Sequence, residues 1–208
     1  RAHQAGGRQH GWRTLPTLPV EIRRAVAAGE PFVYAYYDGI DKIAHEFGFG
    51  EHYDAELAAV DRMVADLLPM LPRGTALVVT ADHGLVSCPD GELDLTPSAT
   101  SLCFQVSGEG RFRWLHAEPG RQRDVFAATA DAHGRQAWVL TCEQILDEGW
   151  FGPTVNDQAR RRLGDVAVVA RDHWSFADPA DRTPSWLVAR HGSLSSEEMH
   201  VPLLTFTS

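Results

Sequence analysis

Two aspartates and three histidines in this sequence have the chemistry and spacing of metal ligands. Asp41 and His45 are four residues apart, so on one turn of a helix their side chains would point the same way and could bind one ion. An aspartate and a histidine at this spacing are also common on solvated helices. The pair by itself therefore leaves both interpretations open.

Asp82 and His83 stand in the segment Thr-Ala-Asp-His-Gly, directly after the apolar run 76–81. Functional sites of open α/β sheets collect at the carboxyl ends of strands, which favours a ligand role for both side chains. In the alternative interpretation Asp82 caps the following turn and His83 is its structural neighbour.

His191 precedes the last apolar run of the chain and is expected in a loop. A single loop histidine is usually solvated. Three separate segments, each with Asp or His at or near a predicted strand end, are harder to explain by chance. Oxygen and imidazole ligands without thiolates suit zinc and, less selectively, manganese or iron.

Strands and a helix are predicted in the positions needed to hold these side chains. The aromatic and β-branched run 31–37 is typical of a buried strand, and its end delivers Asp38 and Asp41. Apolar residues recur at helical spacing over 53–71, and the continuous run 76–81 is typical of a central strand covered on both faces. Strand, helix and strand in this order predict an α/β fold with a largely parallel central sheet flanked by helices.

The pattern changes to shorter elements after residue 88. We predict an inserted α+β lobe over 89–184, while 1–88 and 185–208 form the metal-binding domain around it. In the lobe the sequence predicts a hairpin of 102–106 and 111–115, a helix over 123–132, a strand over 137–140, a helix opened by the Thr141-x-x-Gln144 capping pattern and a strand over 165–170. The final run, 201–206, contains a proline and fits an edge strand.

Composition excludes several classes of protein. With 208 residues and 44% hydrophobic composition, the chain can form one core with a smaller appended lobe. A net charge of −9 argues against a surface for a nucleic-acid polymer, but a small phosphate ester held by metal ions is compatible. No apolar run approaches the roughly 20 residues of a membrane span.

Three cysteines without CxxC spacing favour a reducing compartment. A cytoplasmic location is expected, or an extracytoplasmic one if an upstream signal peptide was removed.

Three motifs carry a specific resemblance. The segments 37–45, 80–84 and 191–204 resemble, in order and spacing, the nucleotide pyrophosphatase/phosphodiesterase branch of the alkaline phosphatase superfamily. The resemblance extends over most of the chain. It implies an alkaline-phosphatase-like fold and metal-dependent hydrolysis of phosphodiester or pyrophosphate bonds. It further implies two divalent metal ions, with zinc favoured: Asp41, His45 and His191 would hold one, and Asp82 and His83 the other.

One departure from the family pattern concerns the nucleophile. The family supplies a further metal-binding Asp and a Thr or Ser nucleophile from an N-terminal half that has no counterpart here. The resemblance therefore implies a C-terminal portion whose partner is the N-terminal half of the same protein, and which is inactive alone. The substrate is expected to be a small phosphate ester such as a nucleotide. The alternatives are a phosphomutase, a sulfatase, a phosphonate hydrolase, or a non-catalytic metal-binding module.

Overall fold

The computed structural model describes residues 6–180 and 186–207 and divides the chain into two compact units. The second unit consists of Ala44–Gly48 and Asp82–Val201. The first unit consists of Arg1–Ile43, Phe49–Ala81 and Pro202–Ser208. The domain division predicted at 88/89 and 184/185 stays a prediction, and its second boundary lies outside the described residues.

The described residues form both helices and strands. In chain order the helices are α1 (Leu18–Ala27), α2 (Gly39–Phe47), α3 (Glu51–Leu67), α4 (Pro97–Thr100), α5 (Gln122–His133), α6 (Cys142–Asp147), α7 (Asp157–Arg160) and α8 (Ser196–Met199). The strands are β1 (Ala76–Thr80), β2 (Val86–Ser87), β3 (Cys103–Glu109), β4 (Phe112–Ala117), β5 (Ala137–Thr141), β6 (Val166–Ala170), β7 (Ala189–Arg190) and β8 (Leu203–Thr207). No helix in these ranges combines the length and the apolar character needed to cross a bilayer.

The first unit contains a two-stranded antiparallel ribbon of β1 and β8, in which Ala76 lies opposite Thr207 and Thr80 opposite Leu203. Its apolar side chains are not fully covered: Val78 is 54% exposed and Leu203 is 70% exposed. The expectation that 76–81 is a central strand covered on both faces is therefore wrong for the described residues. A run of β-branched residues predicts a strand, but it does not determine which layers cover that strand.

The strand predicted over 31–37 is also wrong. These residues lie in no helix or strand, and Phe32 is 81% exposed. A strand exists only when its backbone N–H and C=O groups pair with a neighbouring strand, and the local sequence does not specify that neighbour. Within this segment Tyr37 donates a hydrogen bond to Glu56, and burial together with this carboxylate raises the pKa of Tyr37 to about 12.

The second unit contains a four-stranded antiparallel sheet in the order β3-β4-β6-β5. Strand β6 is buried at every position. Because side chains alternate between the faces of a strand, β6 contributes to two separate clusters. Val166, Val168 and Ala170 pack with Leu115, Val125 and Phe176, whereas Ala167 and Val169 pack with Trp114 and Ile145.

Several local predictions for this unit are confirmed. Strands β3 and β4 form the predicted hairpin, and Thr141 forms a capping box with Gln144 at the start of α6. The mixed α/β class is also confirmed. The predicted parallel orientation of the sheet is not confirmed, because the strand ladders within the described ranges are antiparallel. Only the isolated bridge between Leu93 and Phe176, among the described residues, is parallel. The predicted parallel arrangement relied on a strand over 31–37, which does not form.

Candidate metal centre

Helix α2 carries Asp41 and His45 one turn apart, the arrangement in which their spacing would let both side chains bind one ion. Asp41 belongs to the first unit and His45 to the second. His45 is fixed by the strand that leads to His191: its Nδ1 lies 2.7 Å from the carbonyl oxygen of Ala189, and its own carbonyl accepts a hydrogen bond from the N–H of Val188 at 2.8 Å. A bond between Nδ1–H and a carbonyl sets the ring orientation and leaves Nε2 as the nitrogen suited to a metal.

His83 is held in a similar way. Its Nδ1 lies 3.0 Å from the carbonyl oxygen of Gly84, and the N–H of Gly84 donates to the carbonyl of Glu198 at 2.8 Å. A Cβ atom at position 84 would stand 1.9 Å from the carbonyl oxygen of Glu197, so only glycine permits this approach. The glycine of the Asp-His-Gly motif therefore lets the His83 segment contact the segment that follows His191.

His191 follows β7, and its ring lies close to the other two imidazoles. The ring centroids of His83 and His191 are 3.6 Å apart with the planes inclined by 14°, and those of His45 and His191 are 5.3 Å apart. His45 and His191 thus meet although 146 positions separate them (191 − 45). The following Gly192 has a φ of +119°, a conformation that favours glycine.

Asp82 stands beside this group. Its Oδ1 is 3.8 Å from Nε2 of His83, and its side chain is about half exposed. The second unit therefore brings together four of the five predicted ligands, and the fifth, Asp41, lies one helical turn before His45. The role of each residue as a metal ligand stays a prediction.

The donor chemistry of this arrangement fits a divalent metal ion. Three imidazoles and a carboxylate suit zinc, and two of the imidazoles bind a backbone carbonyl through Nδ1, as metal-ligating histidines usually do. The donor types of this arrangement are therefore those that divalent transition metals prefer in proteins.

Sequence reasoning missed two residues next to this centre, Arg111 and Glu198. Both are fully buried and form an ion pair. A buried charge separated from its partner by 87 positions gives no periodic or motif signal. Glu198 does lie within the motif 191–204, but its neighbour Glu197 has the same chemistry.

Comparison with known proteins identifies related chains. The family model described as type I phosphodiesterase/nucleotide pyrophosphatase matches residues 11–194. No curated protein matches the sequence at a significant level.

Solved structures confirm the alkaline-phosphatase-like fold. Murine ectonucleotide pyrophosphatase/phosphodiesterase 5 superimposes with a TM-score of 0.75 at 19% identity, over 93% of this chain and 52% of that chain. The human protein of the same name gives a TM-score of 0.75 at 16% identity, over 96% and 54%. Phosphonoacetate hydrolase from Sinorhizobium meliloti, in complex with phosphonoformate, gives 0.65 at 19% identity, over 92% and 49%. The chain spans about half the length of these proteins.

Proposed function

Because the chain belongs to the type I phosphodiesterase/nucleotide pyrophosphatase family, we propose that its parent protein is a metal-dependent hydrolase of phosphodiester or pyrophosphate bonds. The observation that supports this most directly is the convergence of His45, His83 and His191 in the second unit. Three imidazoles from distant segments of the chain come close together, and backbone carbonyls orient two of them. Such an arrangement supplies protein ligands for a metal ion.

We propose that Asp41, His45 and His191 hold one divalent ion, and that Asp82 and His83 hold a second, with zinc as the favoured metal. When bound, such ions supply Lewis-acid stabilisation of the charge that develops on phosphoryl oxygens. The residues of this chain hold the ions and orient the ligands. The Ala189 carbonyl fixes the ring of His45, and the Gly84 carbonyl fixes that of His83.

The remaining parts of the active site are proposed to come from an N-terminal half of the same protein, including the Thr or Ser nucleophile and a further Asp ligand. Exposed apolar residues of the first unit support such a partner. An isolated two-stranded ribbon is marginally stable, and large exposed apolar patches mark interaction surfaces. The exposed apolar side chains of this unit include Phe32, Tyr34, Val78, Leu203 and Leu204.

The proposed substrate is a small phosphate ester, with a nucleotide as the first choice. An inactive variant of the murine protein was solved in complex with AMP, which supports this choice. The net charge of −9 does not favour a nucleic-acid polymer. Phosphonate hydrolysis is the second candidate, because the phosphonoacetate hydrolase shares the fold with its ligand bound.

The test uses the full-length parent protein with a nitrophenyl phosphodiester as substrate and with metal analysis. Asp82→Ala and His191→Ala should each abolish hydrolysis and lower the metal content, while the folded fraction stays close to that of the parent. Asp124→Ala is the matched control, since this exposed acid of α5 pairs with Arg121 and should leave turnover unchanged. Normal hydrolysis by the Asp82 and His191 variants would refute the two-metal proposal.

A separate assay tests the dependence on the N-terminal half. The 208-residue chain alone should give only background hydrolysis, and turnover should appear in the full-length protein. Robust turnover by the chain alone, lost in His191→Ala, would show that the nucleophile lies within these residues. Hydrolysis rates of the full-length protein on AMP esters and on phosphonoacetate distinguish the two candidate substrate classes.

A further inference from the structure

A buried ion pair lies beneath the segments that carry His83 and His191. Arg111 is 0% exposed and Glu198 is 2% exposed. The contact is bidentate: Nε of Arg111 donates to Oε1 of Glu198 at 2.7 Å, and Nη2 donates to Oε2 at 2.8 Å. The remaining Nη1 of Arg111 donates to the carbonyl of Trp174. Every side of this guanidinium is therefore engaged by the second unit.

The carboxylate of Glu198 accepts two further hydrogen bonds. The N–H of Ser193 donates to Oε1 at 2.9 Å and the hydroxyl of Ser195 donates to Oε2 at 2.6 Å. Burial raises the pKa of Glu198, but the hydrogen bonds from Arg111, Ser195 and Ser193 outweigh it and the pKa is lowered. Glu198 is therefore ionised at neutral pH, with all four bonds in place.

Glu198 is connected to both histidine segments. Ser193 stands two residues after His191, and the N–H of Gly84, the residue after His83, donates to the backbone carbonyl of Glu198 at 2.8 Å. One residue thus contacts the chain next to each of the two stacked imidazoles. The carboxylate fixes the His191 side and the carbonyl fixes the His83 side.

The hairpin of β3 and β4 supports the same segment. A Cβ atom on Gly192 would lie 3.4 Å from Cβ of Glu109, so the loop after His191 packs directly on the end of the hairpin. Arg190, the residue before His191, pairs with Glu92 at 3.0 Å. His191 therefore follows a residue whose charge is paired inside the second unit and precedes a glycine that packs on the hairpin.

A buried ion pair is a poor way to gain stability, because desolvation of the two charges offsets most of their attraction. Its use here requires another reason, and its position next to both histidine segments provides one. We propose that Arg111 and Glu198 are positioning residues, which hold His83 and His191 in the stacked geometry of the candidate metal centre. The relation to a metal rests on the proposed function, whereas the geometric effect does not.

Glu198→Gln is the informative change, because the side chain keeps its size but loses its charge and one acceptor oxygen. It can no longer accept from Arg111, Ser193 and Ser195 together, so the segment after His191 is released. A second variant, Arg111→Met with Glu198→Leu, removes both charges and leaves neither unpaired. Apolar replacement of a complete buried pair usually preserves folding, so this double variant keeps the test valid if Glu198→Gln does not fold.

The primary measurement is NMR of the ring protons of His83 and His191 in the metal-free 208-residue chain. Rings stacked at 3.6 Å shift each other's resonances, and we expect this ring-current shift to be lost in both variants. Val125→Ala is the control, since Val125 is fully buried in the same unit and belongs to the cluster around β6. It should destabilise the unit and keep the ring-current shift.

Cobalt(II) titration then tests the consequence for metal binding. We expect the variants to bind Co²⁺ about 10- to 100-fold more weakly than the unchanged chain, as for other residues that orient metal ligands, with an altered visible spectrum. An unchanged ring-current shift in the folded variants, or an equal loss in Val125→Ala, would overturn the positioning role. If the variants lose the ring-current shift but even the unchanged chain does not bind Co²⁺, the positioning role is supported and the metal site is refuted.

Discussion

The two units differ in how their strands are covered. In the second unit β6 is buried on both faces by side chains of that unit, including Leu115, Phe176 and Ile145. In the first unit the ribbon of β1 and β8 exposes Val78 and Leu203. His45, His83 and His191 converge in the second unit. A geometry that depends on ring positions needs a rigid scaffold, and the second unit supplies one.

The largest expected effect comes from a substitution that creates a cavity in the second unit. Phe176→Ala should lower the free energy of unfolding of the second unit by about 3–5 kcal/mol, because the side chain is fully buried. Phe32→Ala in the first unit should change stability by no more than about 0.5 kcal/mol. Urea unfolding followed by hydrogen exchange at β6 for the second unit and at β1 for the first unit measures both. Similar losses for the two variants would contradict the comparison.

A pH change should also act on the second unit. Burial lowers the pKa of His133 and of His116, so each is protonated more readily in the unfolded chain than in the folded one. Stability should therefore fall as the pH is lowered from 7 through the unfolded value near 6.5 and toward the folded pKa values. His133 accepts a hydrogen bond at Nε2 from the N–H of Thr96, which requires the neutral ring.

Thermal unfolding at pH 7 and pH 5 measures this effect. His133→Gln retains an acceptor for Thr96 and should reduce the difference in melting temperature between the two pH values. An unchanged difference would show that burial of His133 does not contribute.

A smaller effect is expected at the start of α6. Thr141→Ala removes the side chain that caps the N–H of Gln144 and should cost about 1 kcal/mol. Thr141→Ser keeps the hydroxyl and is the matched control. The urea unfolding curves of Thr141→Ala and Thr141→Ser should separate clearly. Coincident curves would mean that the cap does not stabilise the helix.

The smallest effect is expected in the ribbon. Leu203→Thr exchanges an exposed side chain for another residue that is common in strands, so the stability of the 208-residue chain should change by less than about 0.5 kcal/mol. The same exchange at the fully buried Leu115 should be severely destabilising. Equal costs at the two positions would show that Leu203 is covered in solution.

Local signals predicted much of the second unit. The Thr-x-x-Gln pattern at 141–144 predicted a capped helix, and two apolar runs around a glycine-containing turn predicted the hairpin of β3 and β4; both formed. Interactions of this kind depend on residues close together in sequence. Asp41 and His45 lie one turn apart on helix α2, the arrangement in which their spacing would let both side chains point the same way.

Predictions failed where distant residues decide the outcome. The run 31–37 has the composition of a strand, but strand formation depends on a partner that the run does not encode. The pair of Arg111 and Glu198 gave no signal for the same reason, since neither residue type indicates its own burial or its partner. At the candidate centre, chemistry and motif order pointed to the histidines that the structure brings close together, while the carbonyl and carboxylate contacts around them became visible only in three dimensions.

The hydrogen bond between Nδ1 of His45 and the carbonyl of Ala189 also has a consequence for biosynthesis. It closes a loop across 144 positions, which costs about 4 kcal/mol of chain entropy. At roughly 5–20 residues per second, a ribosome needs about 7–30 s to extend a chain by that length. During this time His45 lacks its partners, and an ion that needs both His45 and His191 can bind only after residue 191 has been synthesised.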